Sequence, residues 1–145
     1  MNSVPVPART VFTASADETL SFGRGLAREL RPPLLVFLSG ELGAGKTTLA
    51  KGIVSGLGAA REEEVTSPTF TLVHEFRGPV RVFHIDLYRI EGHTDLESLG
   101  LEDLFSSPAI VLVEWPEKWT LRSDWPILRI RLAALEDVRH RIEIS

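Results

Sequence analysis

The chain has 145 residues, of which 43% are hydrophobic and 25% are charged, and this composition favours an ordinary globular protein with a single domain over residues 1–145. The formal net charge of −4 argues against a protein that grips nucleic acid unaided, because such binding needs many lysines and arginines. The absence of cysteine excludes disulfides, thiolate chemistry and cysteine-based zinc sites.

The N-terminal sequence MNSVPVPART has neither the basic segment nor the apolar segment of a secretory signal. The nearest apolar run, Leu34–Leu38, is far shorter than the roughly 20 residues that span a bilayer. We therefore expect a cytoplasmic protein with no membrane segment.

A strand and a helix are predicted first. Val11–Thr13 favours a short strand, and Ser15 followed by Glu18 fits a capping box that opens a helix. The residues at helical spacing are Leu20, Gly23, Ala27 and Leu30. Pro32 and Pro33 end this pattern because proline disrupts a helix interior.

The next elements are a buried strand and a second helix. Leu34–Leu38 is a continuous apolar run, typical of a strand covered on both faces. The helix is predicted over Lys46–Leu57, with Gly58 directly after its end.

The second half of the chain is dominated by strand patterns, with a short helix or a pair of turns at Leu96–Phe105. The predicted strands are Thr69–Phe76, Val80–Asp86, Ala109–Val113, Leu128–Leu132 and Val138–Ile144. The last two alternate apolar and polar residues, which favours an antiparallel hairpin. The predicted fold is therefore α/β: a P-loop NTPase fold whose mixed, mainly parallel sheet is flanked by helices and ends in a C-terminal antiparallel hairpin.

A phosphate-binding loop separates the buried strand from the second helix. The residues GELGAGKT match G-x-x-x-x-G-K-[ST] in full, and the glycines let backbone N–H groups approach a phosphate. Lys46 is expected to reach the β- and γ-phosphates, and the Thr47 hydroxyl to coordinate Mg²⁺. The predicted nucleotide-binding residues are Glu41, Leu42, Gly43, Ala44, Gly45, Lys46, Thr47 and Thr48.

Two carboxylates are candidates for the magnesium site. Glu114 and Asp86 each follow an apolar strand, and ligands of an open α/β sheet collect at the carboxyl ends of strands. We expect Glu114 to bind Mg²⁺ directly or through water, and Asp86 to orient the attacking water or a metal-bound one. A helix cap or a solvated strand end is the alternative for each. His84 shares a strand face with Asp86, but we interpret all four histidines as structural because they lack metal-site spacing.

A loop after the second helix contains Ser67, Pro68 and Thr69. A hydroxyl in such a loop can sense the γ-phosphate and Mg²⁺, so Thr69 is a candidate switch residue. The alternative is a turn that only starts a strand.

Four arginines of the terminal hairpin form either a solvated face or a contact for a protein or RNA partner. They are Arg129, Arg131, Arg139 and Arg141.

Five segments together resemble the TsaE (YjeE) family. They are GELGAGKTT at 40–48, VTSPTFTLVHEF at 65–76, HIDLYR at 84–89, LESLGLEDLF at 96–105 and VLVEWPEK at 111–118. The resemblance implies an ATPase that acts with TsaB and TsaD in threonylcarbamoylation of the adenosine beside the tRNA anticodon. It also implies low basal activity that the partners stimulate, hydrolysis that resets the complex, and only indirect contact with tRNA.

The same resemblance implies roles for individual residues. Lys46 and Thr47 take the phosphates and Mg²⁺, and Thr69, Asp86 and Glu114 are the switch, acidic and metal positions. Two other readings of a P-loop remain open, a small-molecule kinase and a nucleotide-controlled binding module. A GTPase is disfavoured because the chain has no N-K-x-D motif.

Overall fold

Seven strands form one mixed sheet in the computed structural model of the protein, which describes residues 6–65 and 73–145. The strands are β1 (Arg9–Thr13), β2 (Leu34–Ser39), β3 (Val73–Arg77), β4 (Arg81–Asp86), β5 (Ile110–Glu114), β6 (Ile127–Ala134) and β7 (His140–Ile144). Their order across the sheet is β1-β7-β6-β2-β5-β4-β3. The central strands β6, β2, β5 and β4 run parallel, and β3, β7 and β1 join them through antiparallel pairs. The mixed sheet and the C-terminal hairpin are confirmed.

Within residues 6–65 and 73–145, three α-helices and three 3₁₀ helices connect these strands. They are α1 (Ala16–Ala27), α2 (Lys46–Gly56), α3 (His93–Glu97) and the 3₁₀ helices Glu62–Glu64, Leu101–Ser106 and Pro116–Lys118. In the described ranges, no helix has both the length and the apolarity needed to cross a membrane.

The predicted helix start is confirmed, with one change in its hydrogen bonds. The Glu18 N–H donates to the Ser15 hydroxyl at 3.1 Å, but the Glu18 carboxylate accepts from the Ala14 N–H at 2.9 Å. The helix ends at Ala27, so Leu30 lies in the following turn, where its N–H donates to the Ala27 carbonyl. The periodic pattern continued past the helix because Leu30 still faces the core.

Alternate residues of the central strands face two separate apolar layers. Val36 and Leu112 point to the layer that contains α1 and α2. Phe37 and Val113 point to the opposite layer, built from α3, the 3₁₀ helix Leu101–Ser106 and three tryptophans. Glu114, His84 and Asp86 lie at alternate positions in register with the first set, so their side chains belong to the face that α2 covers.

Glycines allow α1 and α2 to cross with their backbones in contact. A Cβ on Gly52 would lie 2.4 Å from the Leu20 carbonyl oxygen, and one on Gly23 would lie 2.8 Å from the Leu49 carbonyl oxygen. Both obstacles are backbone atoms, so no side-chain rotation can relieve them. The crossing therefore fixes the position of α2, whose first turn carries Lys46 and Thr47.

Gly52→Ala is expected to destabilise the fold because the added methyl group overpacks this crossing. We expect the free energy of unfolding to fall by about 1–3 kcal/mol in urea titrations. Gly25→Ala is the matched control, since Gly25 is exposed on α1 and a Cβ there would meet no heavy atom within 4 Å. It should raise stability by roughly 0.5–1 kcal/mol through helix propensity. Equal effects of the two substitutions would contradict the close crossing.

Candidate nucleotide-binding site

The loop between β2 and α2 has the backbone of a phosphate cradle. Gly40, Gly43 and Gly45 adopt φ values of 148°, 80° and 101°, which L-residues with side chains rarely adopt. A Cβ on Gly40 would also lie 2.3 Å from the Leu132 carbonyl oxygen, so this position excludes a side chain twice over. Gly45 is the N-cap of α2 and has no side chain to occupy the N–H groups of the first turn. Those groups and the helix dipole favour an anion.

The Lys46 ammonium group is buried inside this loop, and the residue is only 5% exposed. It donates to the Gly40 carbonyl and, at 3.2 Å, to the Glu41 carbonyl. It also lies 4.1 Å from the centre of the Trp115 ring. Burial lowers the pKa of the Lys46 ammonium group, while the Glu114 and Asp86 carboxylates act in the opposite direction. A phosphate is a stronger partner for this cation than neutral carbonyls and an aromatic face.

Trp115 reaches Lys46 because the chain turns sharply after β5. Its φ of 61° is left-handed, and it leads directly into the 3₁₀ helix Pro116–Lys118. The Trp115 ring lies 5.0 Å from the Tyr88 ring. The loops that follow β5 and β4 therefore meet beside the P-loop lysine.

Glu114 joins the P-loop helix to the end of β5. The Thr47 hydroxyl donates to both Glu114 carboxylate oxygens, at 3.1 and 3.2 Å. His84 Nε2 lies 2.6 Å from Glu114 Oε2. Glu114 is 3% exposed and His84 is fully buried, so this carboxylate is held from two sides inside the protein.

Asp86 lies beside Glu114 at the end of the neighbouring strand. The parallel register of β4 and β5 pairs these two residues directly. The Asp86 carboxylate is half-buried and accepts a hydrogen bond from the Tyr88 N–H at 3.0 Å, which shapes the turn after β4. The two predicted acids therefore share one edge and one face of the sheet.

These residues have the chemistry that Mg²⁺ prefers. Hydroxyl and carboxylate oxygens are hard donors, and Mg²⁺ at nucleotide sites is held by one or two protein oxygens together with phosphates. The Thr47 hydroxyl can donate its hydrogen to Glu114 and keep a lone pair for a cation. Among the residues that the structure describes, no group of three or more His, Asp or Glu side chains forms a metal cluster, and a nucleotide-bound Mg²⁺ does not need one.

Not every candidate from the sequence can be placed. Thr69, with Ser67 and Pro68, lies outside the described residues. Leu42 is 69% exposed at the rim of the loop.

His84 was missed as a site residue, because a buried histidine on a strand has the sequence pattern of an ordinary core residue. Its position two residues before Asp86 was the available signal.

The terminal arginines are partly neutralised by neighbouring acids. Arg139 pairs with Asp137 at 2.9 Å, and Arg141 pairs with Glu143 at 3.0 Å. Arg129 lies 5.6 Å from the centre of the Phe37 ring. These acids dilute the positive charge of the arginine face.

Comparisons with known proteins show the family of the chain. The family model described as "Threonylcarbamoyl adenosine biosynthesis protein TsaE" matches residues 13–142. The chain belongs to the TsaE family. A relative from Haemophilus influenzae, named tRNA threonylcarbamoyladenosine biosynthesis protein TsaE, is 41% identical over 105 residues, which cover 68% of this chain and 65% of that protein. The relative of the same name from Treponema pallidum is 33% identical over 131 residues, or 90% of this chain and 96% of that protein.

A solved structure has the same fold. The crystal structure of Bacillus subtilis YdiB matches with a TM-score of 0.71 at 29% sequence identity, covering 96% of this chain and 85% of that one. The TsaE family match, this neighbour and the seven-stranded sheet together confirm the P-loop NTPase fold that the sequence predicts.

Nucleotide binding should change the fluorescence of Trp115, because a phosphate would draw Lys46 away from the indole ring. We expect tryptophan emission to shift on addition of ADP or ATP, and Trp115→Phe to lose most of that shift. Trp125→Phe is the matched control, since the Trp125 ring packs against the Phe105 ring, whereas the Lys46 ammonium group contacts the Trp115 ring. Loss of the signal with Trp125→Phe alone would contradict the assignment.

Proposed function

We propose that the protein is a Mg²⁺-dependent ATPase required for threonylcarbamoylation of the adenosine next to the anticodon in tRNA. It acts with TsaB and TsaD, and hydrolysis resets the complex between turnovers. The observation that carries the proposal is the Thr47–Glu114 hydrogen bond, which joins a complete P-loop to a buried strand-end carboxylate in a TsaE-family chain.

The residues divide the chemistry between binding and activation. Backbone N–H groups of the loop and the Lys46 ammonium group bind the phosphates and stabilise the charge that develops on the γ-phosphoryl oxygens. Thr47 and Glu114 would hold Mg²⁺, which supplies further charge neutralisation when bound. Because the Thr47 hydrogen is directed to Glu114, we assign the direct metal contact to Thr47 and a contact through water to Glu114.

Asp86 and Thr69 complete the proposed catalytic group. Asp86 lies beside Glu114, and the Glu114 carboxylate already accepts the Thr47 hydrogen, so we assign to Asp86 the orientation of the attacking or a metal-bound water. Thr69 is proposed as the switch that senses the γ-phosphate. Adenine is favoured over guanine because the N-K-x-D motif is absent.

The charge distribution favours tRNA contact through the complex rather than through this chain alone. The net charge is −4, and Arg139 and Arg141 already have acidic partners. Phosphate contacts from unpaired cations provide most of the affinity of nucleic-acid binding. This function implies a cytoplasmic location, as the sequence predicts.

A second candidate, a nucleotide-controlled binding module, is favoured by the position of Lys46. The lysine is held by Gly40, Glu41 and Trp115, so binding must first displace these contacts, which suits slow turnover by the isolated protein. Slow basal hydrolysis fits both functions. Stimulation of hydrolysis by TsaB and TsaD would separate them.

ATP hydrolysis by the purified protein, alone and with TsaB and TsaD, is the direct test. We expect low basal activity that rises with the partners and falls by roughly 100-fold or more in Lys46→Ala, because the main cation at the phosphates is lost. Lys51→Ala, later on the same helix, should leave the activity unchanged. Substantial activity that ignores the partners would favour a kinase, and a screen for phosphoryl acceptors would follow.

The two acids should differ in their effect on binding. Glu114→Gln is expected to reduce the gain in ATP affinity that Mg²⁺ provides by about 10- to 100-fold, because the charge next to the metal is removed. Asp86→Asn should keep most of this gain but slow hydrolysis. Calorimetric titration with and without Mg²⁺ measures the first effect, and steady-state hydrolysis measures the second. The opposite pattern would reverse the two roles.

A further inference from the structure

We propose that His84 is a positioning residue that holds the Glu114 carboxylate in the orientation in which it accepts the Thr47 hydroxyl hydrogen. Among the described residues, the hydrogen bond of His84 is made to Glu114, so His84 would act on the metal through Glu114. The inference rests on the proposed function, because it assumes that Thr47 and Glu114 serve a Mg²⁺–nucleotide complex.

Three contacts fix the plane of the carboxylate. Oε2 lies 2.6 Å from His84 Nε2 and 3.1 Å from the Thr47 hydroxyl, and Oε1 lies 3.2 Å from the same hydroxyl. An ionised carboxylate only accepts hydrogen bonds, so His84 Nε2 is the donor of its pair. Without this donor, the carboxylate could rotate about its last bond and lose the alignment with Thr47.

The sheet register explains why a histidine can make this contact. His84 pairs with Leu112 on β5, and Asp86 pairs with Glu114. His84 therefore lies two residues before Asp86, the residue that pairs with Glu114, and on the same face of the sheet. A long or aromatic side chain can span this diagonal separation. The alternation His84, Ile85, Asp86 places the supporting group and the second acid on one face, with an apolar residue between them on the other.

Burial makes the donor important. Glu114 is 3% exposed, and a buried carboxylate is costly unless hydrogen bonds satisfy it. Its neighbour on β4, Asp86, is also an acid and supplies no positive charge to Glu114. The Thr47 hydroxyl oxygen would also bind the cation, whereas His84 would hold Glu114 without binding the cation. Within the described part of the chain, His84 Nδ1 has no hydrogen-bond partner, so the polar contact of the ring is directed to Glu114.

The competing explanation is that His84 only stabilises the fold by satisfying Glu114. The two explanations predict different effects of substituting His84. A stabilising pair affects unfolding alone, whereas a positioning residue affects the metal-dependent part of nucleotide binding and is rescued by a side chain that restores the donor. Groups that support metal ligands typically change metal affinity by about 10- to 100-fold when they are removed.

The test uses three substitutions of His84 and a control on the neighbouring strand. His84→Gln keeps an amide donor as many bonds from the Cβ as Nε2, whereas His84→Asn has the same amide one carbon shorter and His84→Leu has no donor. His74→Leu is the control, because His74 lies opposite His84 on β3, is half-buried and packs against the Phe76 ring. Calorimetry gives the affinity for ATP with Mg²⁺ and with EDTA, and thermal unfolding gives the stability of each variant.

We expect His84→Asn and His84→Leu to lose about 10- to 100-fold of the affinity gain from Mg²⁺, with binding in EDTA unchanged. His84→Gln should recover most of the gain, and His74→Leu should stay within about twofold of the original protein. If His84→Leu does not fold, the comparison of Gln with Asn decides the question. A folded His84→Asn variant with the full Mg²⁺ gain would overturn the positioning role. Absence of Mg²⁺-dependent binding in the unsubstituted protein would instead overturn the proposed function.

Discussion

The parallel pairing of β2, β5 and β4 sets the geometry of the site. Leu38, two residues before the P-loop begins, pairs with Glu114, and Glu114 pairs with Asp86, so three strand ends lie level with one another. The side-chain period of a strand is two residues, and a slip of one residue would turn Glu114 into the layer of α3 and the tryptophans. Thr47 would then lose its partner. Register, rather than any single contact, brings the P-loop and the acids together.

Burial is the second constraint, because it places opposite charges in a poorly hydrated space. Lys46, Glu114 and His84 are each less than one-tenth exposed at the same edge of the sheet. Electrostatic interactions there are stronger than in water, and each charged group needs a partner. The protein supplies these partners from its own backbone, an indole ring and a histidine. A bound nucleotide would exchange some of these partners for phosphate oxygens.

Much of the fold could be predicted because local signals agreed with one another. The apolar run of β2, the glycine-rich loop and the start of α2 all indicated the same strand–loop–helix unit, and the structure has it. The end of α1 was predicted too late, because the apolar pattern extends to Leu30 although the last helical residue is Ala27. The pattern records which side chains face the core, and a turn can satisfy that requirement as well as a helix.

Contacts between strands were the part that the sequence could not provide. The neighbours Asp86 and Glu114 could be placed at one edge of the sheet, but their direct pairing follows from register, which no local pattern encodes. The same is true of the diagonal contact from His84. The left-handed turn at Trp115 was also unpredictable, because tryptophan has no preference for that conformation and the surrounding fold imposes it.

The contact between α1 and α2 has a mechanical consequence. At Gly23 and Gly52 the backbones of the two helices are in direct contact, so at these two points no side chain can rearrange to absorb a displacement. If nucleotide binding shifts the first turn of α2, this backbone contact would therefore displace α1 as well. The surface of α1, on the far side of α2 from the sheet edge that holds the acids, would then move in step with the occupancy of the phosphate cradle.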